Sequence, residues 1–104
     1  MEPLDIFVGG EWRRGGGNLM RSRFPADGSV NAELYAADLT DLETAVERGE
    51  AAWRDPAWRN SLPHQRARIL SRAAEIIESR VDTLAELQTR DNGKPLAETR
   101  GLVM

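Results

Sequence analysis

Thr40-Asp41-Leu42-Glu43-Thr44-Ala45-Val46, continued to Ala52-Trp53, is where the chain changes its period. Before this run, apolar residues alternate with polar ones; within it they recur at helical spacing. Thr40 and Glu43 fit a capping box, in which the threonine side chain accepts the amide three residues on and the glutamate reaches back to the first amide. Leu42, Ala45, Val46, Gly49, Ala52 and Trp53 then share one helical face. Asp55-Pro56 ends that helix, because the residue before a proline avoids the α region.

Upstream the pattern is β. Ile6-Phe7-Val8, Gly9-Gly10 and Glu11-Trp12 predict a short hairpin whose two glycines take the positive φ of a tight turn. Gly15-Gly16-Gly17 reads as a flexible connector. Residues 19–36 predict a second hairpin, with Met20, Ser22 and Phe24 on one side and Leu19, Arg21 and Arg23 on the other. Pro25-Ala26-Asp27-Gly28 is its turn, with proline presetting φ. Val30, Ala32, Leu34 and Ala36 alternate on the return strand. The β-hairpin region is therefore 6–36.

Downstream, Pro63 opens a second helix at a position where its missing N–H costs nothing. Ile69, Leu70, Ala73, Ala74, Ile76, Ile77 and Val81 give it an apolar face wider than one amphipathic helix on a small domain needs, which implies partners on more than one side. Leu84 and Leu87 carry the pattern past a break near Arg80-Val81-Asp82. Asn92-Gly93-Lys94-Pro95 stops it, with glycine left-handed and proline barring continuation. Pro95–Met104 begins another helix, and the helical region is 40–93. The fold class is α+β, two amino-terminal β-hairpins followed by two to three helices.

At 104 residues, with 40% apolar and 30% charged side chains, the chain fits one domain at most and has ordinary globular composition. No apolar run reaches membrane-span length, and the acidic start Met1-Glu2-Pro3-Leu4-Asp5 is not a secretory signal. A net charge of −3 argues against a general nucleic-acid binder. Arg54, Arg59, Arg66, Arg68 and Arg72, followed by Glu75, Glu78, Asp82 and Glu86, read as a solvated face of mixed charge. The absence of cysteine removes disulfides, thiolate metal sites and cysteine nucleophiles from these residues. Cytoplasmic location is the default expectation.

Candidate chemistry is thin. Gly15-Gly16-Gly17 lacks the lysine and hydroxyl of a phosphate loop, and in Gly93-Lys94-Pro95 proline stands where that hydroxyl belongs. His64, the only histidine, has no nucleophile or orienting group beside it in sequence. Trp12, Trp53 and Trp58 read as packing residues of a core or an interface. Glu75 and Glu78 lie among arginines and read as ion-pair partners rather than an acid–base pair. No spacing for zinc or calcium occurs. The residues assign no catalytic, cofactor-binding or metal site.

Taken in order, the motifs resemble the amino-terminal segment of the aldehyde dehydrogenase superfamily. Phe7-Val8-Gly9-Gly10-Glu11-Trp12 is similar to its opening strand motif, and Pro25-Ala26-Asp27-Gly28 to its next hairpin turn. Ala51-Ala52-Trp53, Trp58-Arg59 and Arg66-Ala67-Arg68-Ile69-Leu70 resemble its first two helices. Leu84-Ala85-Glu86-Leu87 with Asp91-Asn92-Gly93-Lys94-Pro95 resembles its helix end. The likeness runs from Phe7 to Gly101 and leans toward the betaine-aldehyde and general aldehyde group.

There are departures. Phe24 stands where the family has asparagine, and Gln88 where it often has glutamate. Some members hold an alkali cation near the position of Ser22-Arg23 with a later acidic side chain. Leu102 and Val103 fall where that acid belongs, so the resemblance does not carry the site to this chain.

The resemblance implies that residues 1–104 are an incomplete part of an α/β cofactor-binding domain. The parent would be an oxidoreductase, dependent on NAD or NADP, that converts an aldehyde to a carboxylic acid. In the family a cysteine thiolate attacks the aldehyde, hydride passes to nicotinamide, and an activated water releases the acid. The family's cysteine, glutamate base, oxyanion asparagine and dinucleotide contacts match no position here. The 104-residue chain by itself is therefore expected to be inactive and to bind no cofactor. Its expected partners are the remainder of the parent and a second copy, met through the stripe around Leu70, Ile77 and Leu84. Neither nucleic acid nor membrane is among them. The alternative reading is a stand-alone, non-catalytic helical interaction module derived from the family.

Overall fold

The computed structural model describes residues 1–104. In chain order the elements are β1 (Ile6–Val8), β2 (Glu11–Arg13), β3 (Leu19–Arg23), β4 (Val30–Tyr35), α1 (Leu39–Arg54), α2 (Pro56–Arg59), α3 (Pro63–Glu78), α4 (Val81–Asn92) and α5 (Leu96–Val103). They fall into two compact units, one of residues 1–22 and 32–60, the other of residues 23–31 and 61–104.

In the first unit β1 and β2 pair antiparallel, with Ile6 opposite Arg13, Phe7 opposite Trp12 and Val8 opposite Glu11. Gly9 and Gly10 have φ of 61° and 86°, the turn geometry that two glycines reach without a Cβ clash. Opposite positions on one face bring the Phe7 and Trp12 rings to 5.0 Å, tilted by 53°. β3 pairs with β4 in a separate two-stranded sheet. Arg21 Nε donates to Glu33 Oε1 at 2.6 Å. Leu4 forms a parallel bridge with Leu34, its amide donating to the Glu33 carbonyl at 2.7 Å. β4 is half-buried at every position, so its period-two sequence pattern does not become a buried and an open face.

The start of α1 differs from the sequence expectation. Its capping box is Asp38 with Asp41, not Thr40 with Glu43. The chain reaches Asp38 extended, at φ −100° and ψ −175°, and the Asp38 carboxylate accepts the Asp41 amide at 2.8 Å. Thr40 is already helical, and its carbonyl accepts the Thr44 hydroxyl at 2.9 Å. Both pairs have the spacing a capping box requires. The earlier one forms because Asp41 has further partners in the strand region, described below. Asp55 ends α1 and caps α2, its carboxylate accepting the Ala57 amide at 2.9 Å. That four-residue helix was not expected from the sequence.

In the second unit the tip of the β3–β4 hairpin belongs with α3, α4 and α5. The Phe24 amide donates to the Ser29 carbonyl and the Gly28 amide to the Phe24 carbonyl, both at 2.8 Å. The Arg90 guanidinium lies 5.3 Å from the Phe24 ring centroid, and Asn31 Nδ2 donates to the Arg90 carbonyl at 2.8 Å. Gly93, with φ 78°, ends α4 as the sequence predicts. A side chain on it would also press on Pro25, whose Cβ and Cγ would stand 3.2 Å from the added carbon. α4 packs on α5 through Ala85, which is 1% exposed, and Thr99, which is fully enclosed. The Thr89 and Thr99 hydroxyls share a hydrogen bond of 2.8 Å, and Thr99 also donates to the Leu96 carbonyl at 3.0 Å.

α3 ends at Glu78, and Arg80, at φ −119° and ψ 17°, precedes α4. Leu70 and Ile77 therefore share a helix, but Leu84 lies on α4 and is half-buried. The expected Leu70–Ile77–Leu84 stripe is broken by this turn.

The cap assignment predicts that Asp38→Ala lowers stability by about 1 kcal/mol. Thr40→Ala should change it by less than about 0.5 kcal/mol. Urea unfolding of the two variants beside the unsubstituted chain measures both.

Candidate functional site

Asp41 is the one strongly enclosed charged side chain, at 2% exposure. It projects from the first turn of α1 toward the end of β2 and the loop that follows. Asp41 Oδ2 accepts the Gly16 amide at 2.8 Å and the Asp38 amide at 3.0 Å. Arg13 Nη2 lies 2.6 Å from its other oxygen. The Gly16 and Asp38 amides, followed by the Arg13 charge, hold the carboxyl below its ordinary range, and desolvation opposes them without prevailing. One side chain thus ties β2, the glycine loop and the N-cap together.

This corrects the reading of Gly15-Gly16-Gly17 as a flexible connector. Gly15 is buried, and a Cβ on it would run into the Tyr35 and Ala36 carbonyls. A Cβ on Gly16 would run into the Asp38 carboxylate. The Gly17 amide donates to the Ala36 carbonyl at 2.7 Å. The glycines are there for close approach. A dinucleotide pyrophosphate does not fit this loop: its Gly16 amide is committed to Asp41, and the Asp38 and Asp41 carboxylates would repel a phosphate.

His64 is exposed in the first turn of α3. Glu75 pairs with Arg72 at 3.0 Å, while Glu78 borders a separate cavity of about 260 Å³ with Ala74, Ile77, Val103 and Met104. The Lys94 amide donates to Asn92 Oδ1 at 2.9 Å within the helix stop. Trp12 rests on Phe7 yet stays 71% exposed, and Trp53 is 57% exposed, so neither is a core residue of this chain. No cluster of three or more His, Asp or Glu side chains is placed to hold a metal.

What the surface offers instead is apolar. Leu39, Leu42, Val46 and Trp53 form an open stripe along α1. Ile69, Leu70, Ile76 and Ile77 form another along α3, with exposed Leu62 at its N-cap. Beside the α1 stripe, Phe7, Gly9, Ala45, Arg48, Gly49 and Ala52 line a shallow cleft of about 570 Å³. The Arg48 stem covers Gly9, where a Cβ would stand 2.6 Å from its Cγ. Large apolar patches of this kind mark docking surfaces. No helix is long and apolar enough to cross a membrane. The arrangement is a carboxylate tie inside and open apolar stripes outside.

The family follows from comparison with known proteins. The aldehyde dehydrogenase family model matches residues 12–104, and the chain belongs to that family. It is 40% identical over 94 residues to a betaine aldehyde dehydrogenase of Rhizobium etli (strain CIAT 652), covering 89% of this chain and 19% of the relative. It is 39% identical over 94 residues to betaine aldehyde dehydrogenase 1 of Rhizobium meliloti (strain 1021), with the same coverage. Among solved structures, the NAD+ complex of an aldehyde dehydrogenase from Bacillus cereus superposes with a TM-score of 0.89 at 29% identity, over 96% of this chain and 21% of that one. An NAD-dependent aldehyde dehydrogenase from Sinorhizobium meliloti gives a TM-score of 0.90 at 24% identity, over 98% and 21%. The chain spans about a fifth of the length of the curated relatives it matches.

Sequence reasoning missed Asp41. Nothing in Thr40-Asp41-Leu42-Glu43 separates the enclosed carboxylate from the exposed one at Glu43, because the difference is made by residues 13 and 16.

Asp41 titrates lower in the folded chain than in the unfolded one, so its stabilisation is complete above the unfolded value of about 3.9 and is lost as pH falls through the lower folded value. Asp27, held down chiefly by the Ser29 hydroxyl, adds to the same acid limb. Asp41→Asn is expected to be less stable near neutrality and to lose less further stability on acidification. Melting temperatures of both proteins from neutral pH to about pH 3 measure this; parallel curves would remove Asp41 from the acid limb.

Proposed function

We propose that these residues are the amino-terminal scaffold of an NAD(P)-dependent aldehyde dehydrogenase that oxidises an aldehyde of the betaine-aldehyde type to its carboxylic acid. The observation that carries the reading is the continuous family match over residues 12–104, in relatives about five times as long. The apolar stripes of α1 and α3 support it, since they offer surfaces for the rest of the enzyme to cover. NAD is the favoured cofactor because a structural neighbour at 29% identity is an NAD+ complex.

On this reading the chain contributes positioning rather than chemistry. Asp41 fixes the glycine loop against the N-terminus of α1, and Gly93 fixes the hairpin turn against the end of α4. A thiolate nucleophile has to be supplied by other residues, since these 104 contain no cysteine.

The test is complementation. The chain is mixed with a betaine aldehyde dehydrogenase from which the matching segment has been removed, and reduced nicotinamide is followed with betaine aldehyde as substrate. Activity is expected only when both parts are present. Turnover by the chain alone would overturn the scaffold role. Failure to complement, by a protease-resistant chain with a partner of its own, would support the stand-alone module instead.

A further inference from the structure

We propose that Asn92-Gly93, at the end of α4, is a site of spontaneous deamidation. The hydrogen bond that holds the Gly93 amide times the reaction, and its isoaspartyl product unseats the hairpin turn from that glycine. The site lies within one compact unit and does not depend on the enzyme reading.

Deamidation asks that the next backbone nitrogen reach the asparagine Cγ, that the side-chain carbonyl be polarised, and that the nitrogen lose its proton. Of Asn18, Asn31, Asn60 and Asn92, only Asn92 precedes glycine; the others precede Leu19, Ala32 and Ser61. Glycine has no Cβ to obstruct the approach or to restrict the backbone as a ring closes. Asn92 is exposed, and its Oδ1 accepts the Lys94 amide at 2.9 Å. That bond folds the carboxamide forward over the Gly93 peptide. It also sets a donor on the oxygen where negative charge develops during attack. The last requirement is withheld: the Gly93 amide donates to the Thr89 carbonyl at 2.8 Å, the closing bond of α4. While that bond stands, the nitrogen keeps its proton and is held away from attack. Helix ends open locally at small cost, so the reaction runs through the frayed last turn.

The step balances with water alone. The deprotonated Gly93 nitrogen bonds to Asn92 Cγ, the bond from Cγ to the side-chain nitrogen breaks, and ammonia leaves a cyclic succinimide. Water then opens the ring. Cleavage between the ring nitrogen and Cγ gives aspartate. Cleavage between that nitrogen and the backbone carbonyl carbon gives isoaspartate, whose main chain runs through Cβ and Cγ. Aspartate adds a charge where the helix dipole is already negative, but keeps the backbone. Isoaspartate lengthens the backbone by one carbon just before Gly93. That glycine holds φ 78°, with Pro25 Cβ and Cγ only 3.2 Å from where its own Cβ would stand, so the displaced chain has no room beside the turn. Asp27-Gly28 is a poorer site, because the Ser29 hydroxyl and amide, at 2.6 and 2.9 Å, keep its carboxyl ionised and unreactive toward attack.

The test incubates the full 104-residue chain at neutral and mildly alkaline pH, folded and in guanidinium chloride. Ammonia release and the masses of proteolytic peptides follow the reaction. Product is expected in the peptide containing residue 92 ahead of every other asparagine, and faster at the higher pH. The folded chain is expected to react about tenfold or more slower than the unfolded one, in step with hydrogen exchange at the Gly93 amide. Asn92→Gln, whose longer side chain closes the ring poorly, should abolish the signal. Nuclear Overhauser contacts between Pro25 and Gly93 are expected in the unmodified chain and in Asn92→Asp, and are expected to be lost in the isoaspartyl product. Equal rates folded and unfolded, faster reaction at another asparagine, no product in the folded chain over several weeks, or retention of the Pro25–Gly93 contacts in the isoaspartyl product would each overturn the proposal.

Discussion

The carboxylate of Asp41 is the constraint on which the first half of the chain depends. Enclosing a charge is costly unless its hydrogen bonds and counter-charge are replaced. Here two backbone amides and the Arg13 guanidinium replace them. Because those donors come from the end of β2, the glycine loop and the N-cap of α1, satisfying one carboxylate fixes three segments at once. The close approach of Gly15 to the Tyr35 and Ala36 carbonyls and of Gly16 to Asp38 follows from the same tie. That is why three consecutive glycines, usually a sign of slack, stand at the tightest place in this unit.

The second half is organised differently. Its fixed points are the left-handed Gly93 beside Pro25, the Arg90 guanidinium over Phe24, and the Thr89–Thr99 hydroxyl pair with Ala85 between α4 and α5. These are short-range, mostly polar arrangements. In both units most of the large apolar side chains are exposed, and the only buried hydrophobic residue is Ala85. Polar ties and caps set the local geometry, and most of the apolar area stays exposed. On the proposed reading, such a segment suits a scaffold whose open faces the rest of a larger enzyme of its family covers.

Much of the fold was legible because its signals are local. Gly9-Gly10 between two short strands, Pro25–Gly28 as a turn, Asp55-Pro56 as a helix end and Asn92–Pro95 as a helix stop each act through the φ and ψ of the residues named. The order of those motifs was also enough to point to the family that comparison then showed. The capping box was misplaced by two residues because two overlapping tetrads satisfy the same rule. The break near Arg80 was legible and stands, but the stripe through Leu70, Ile77 and Leu84 was carried across it onto α4, where Leu84 is half-buried.

By itself, then, the sequence determined the kinds and order of the elements, the hairpin turns, the helix stops and the lack of a thiolate among these residues, all properties of single residues or short runs. Tertiary structure decided which carboxylate caps α1, why the triple glycine cannot be replaced, and which apolar residues stay open. Those depend on partners distant in sequence: Gly16 with Asp41, Arg13 with Asp41, Pro25 with Gly93. A periodic pattern shows that a face is apolar, but only the packing shows whether this chain covers it.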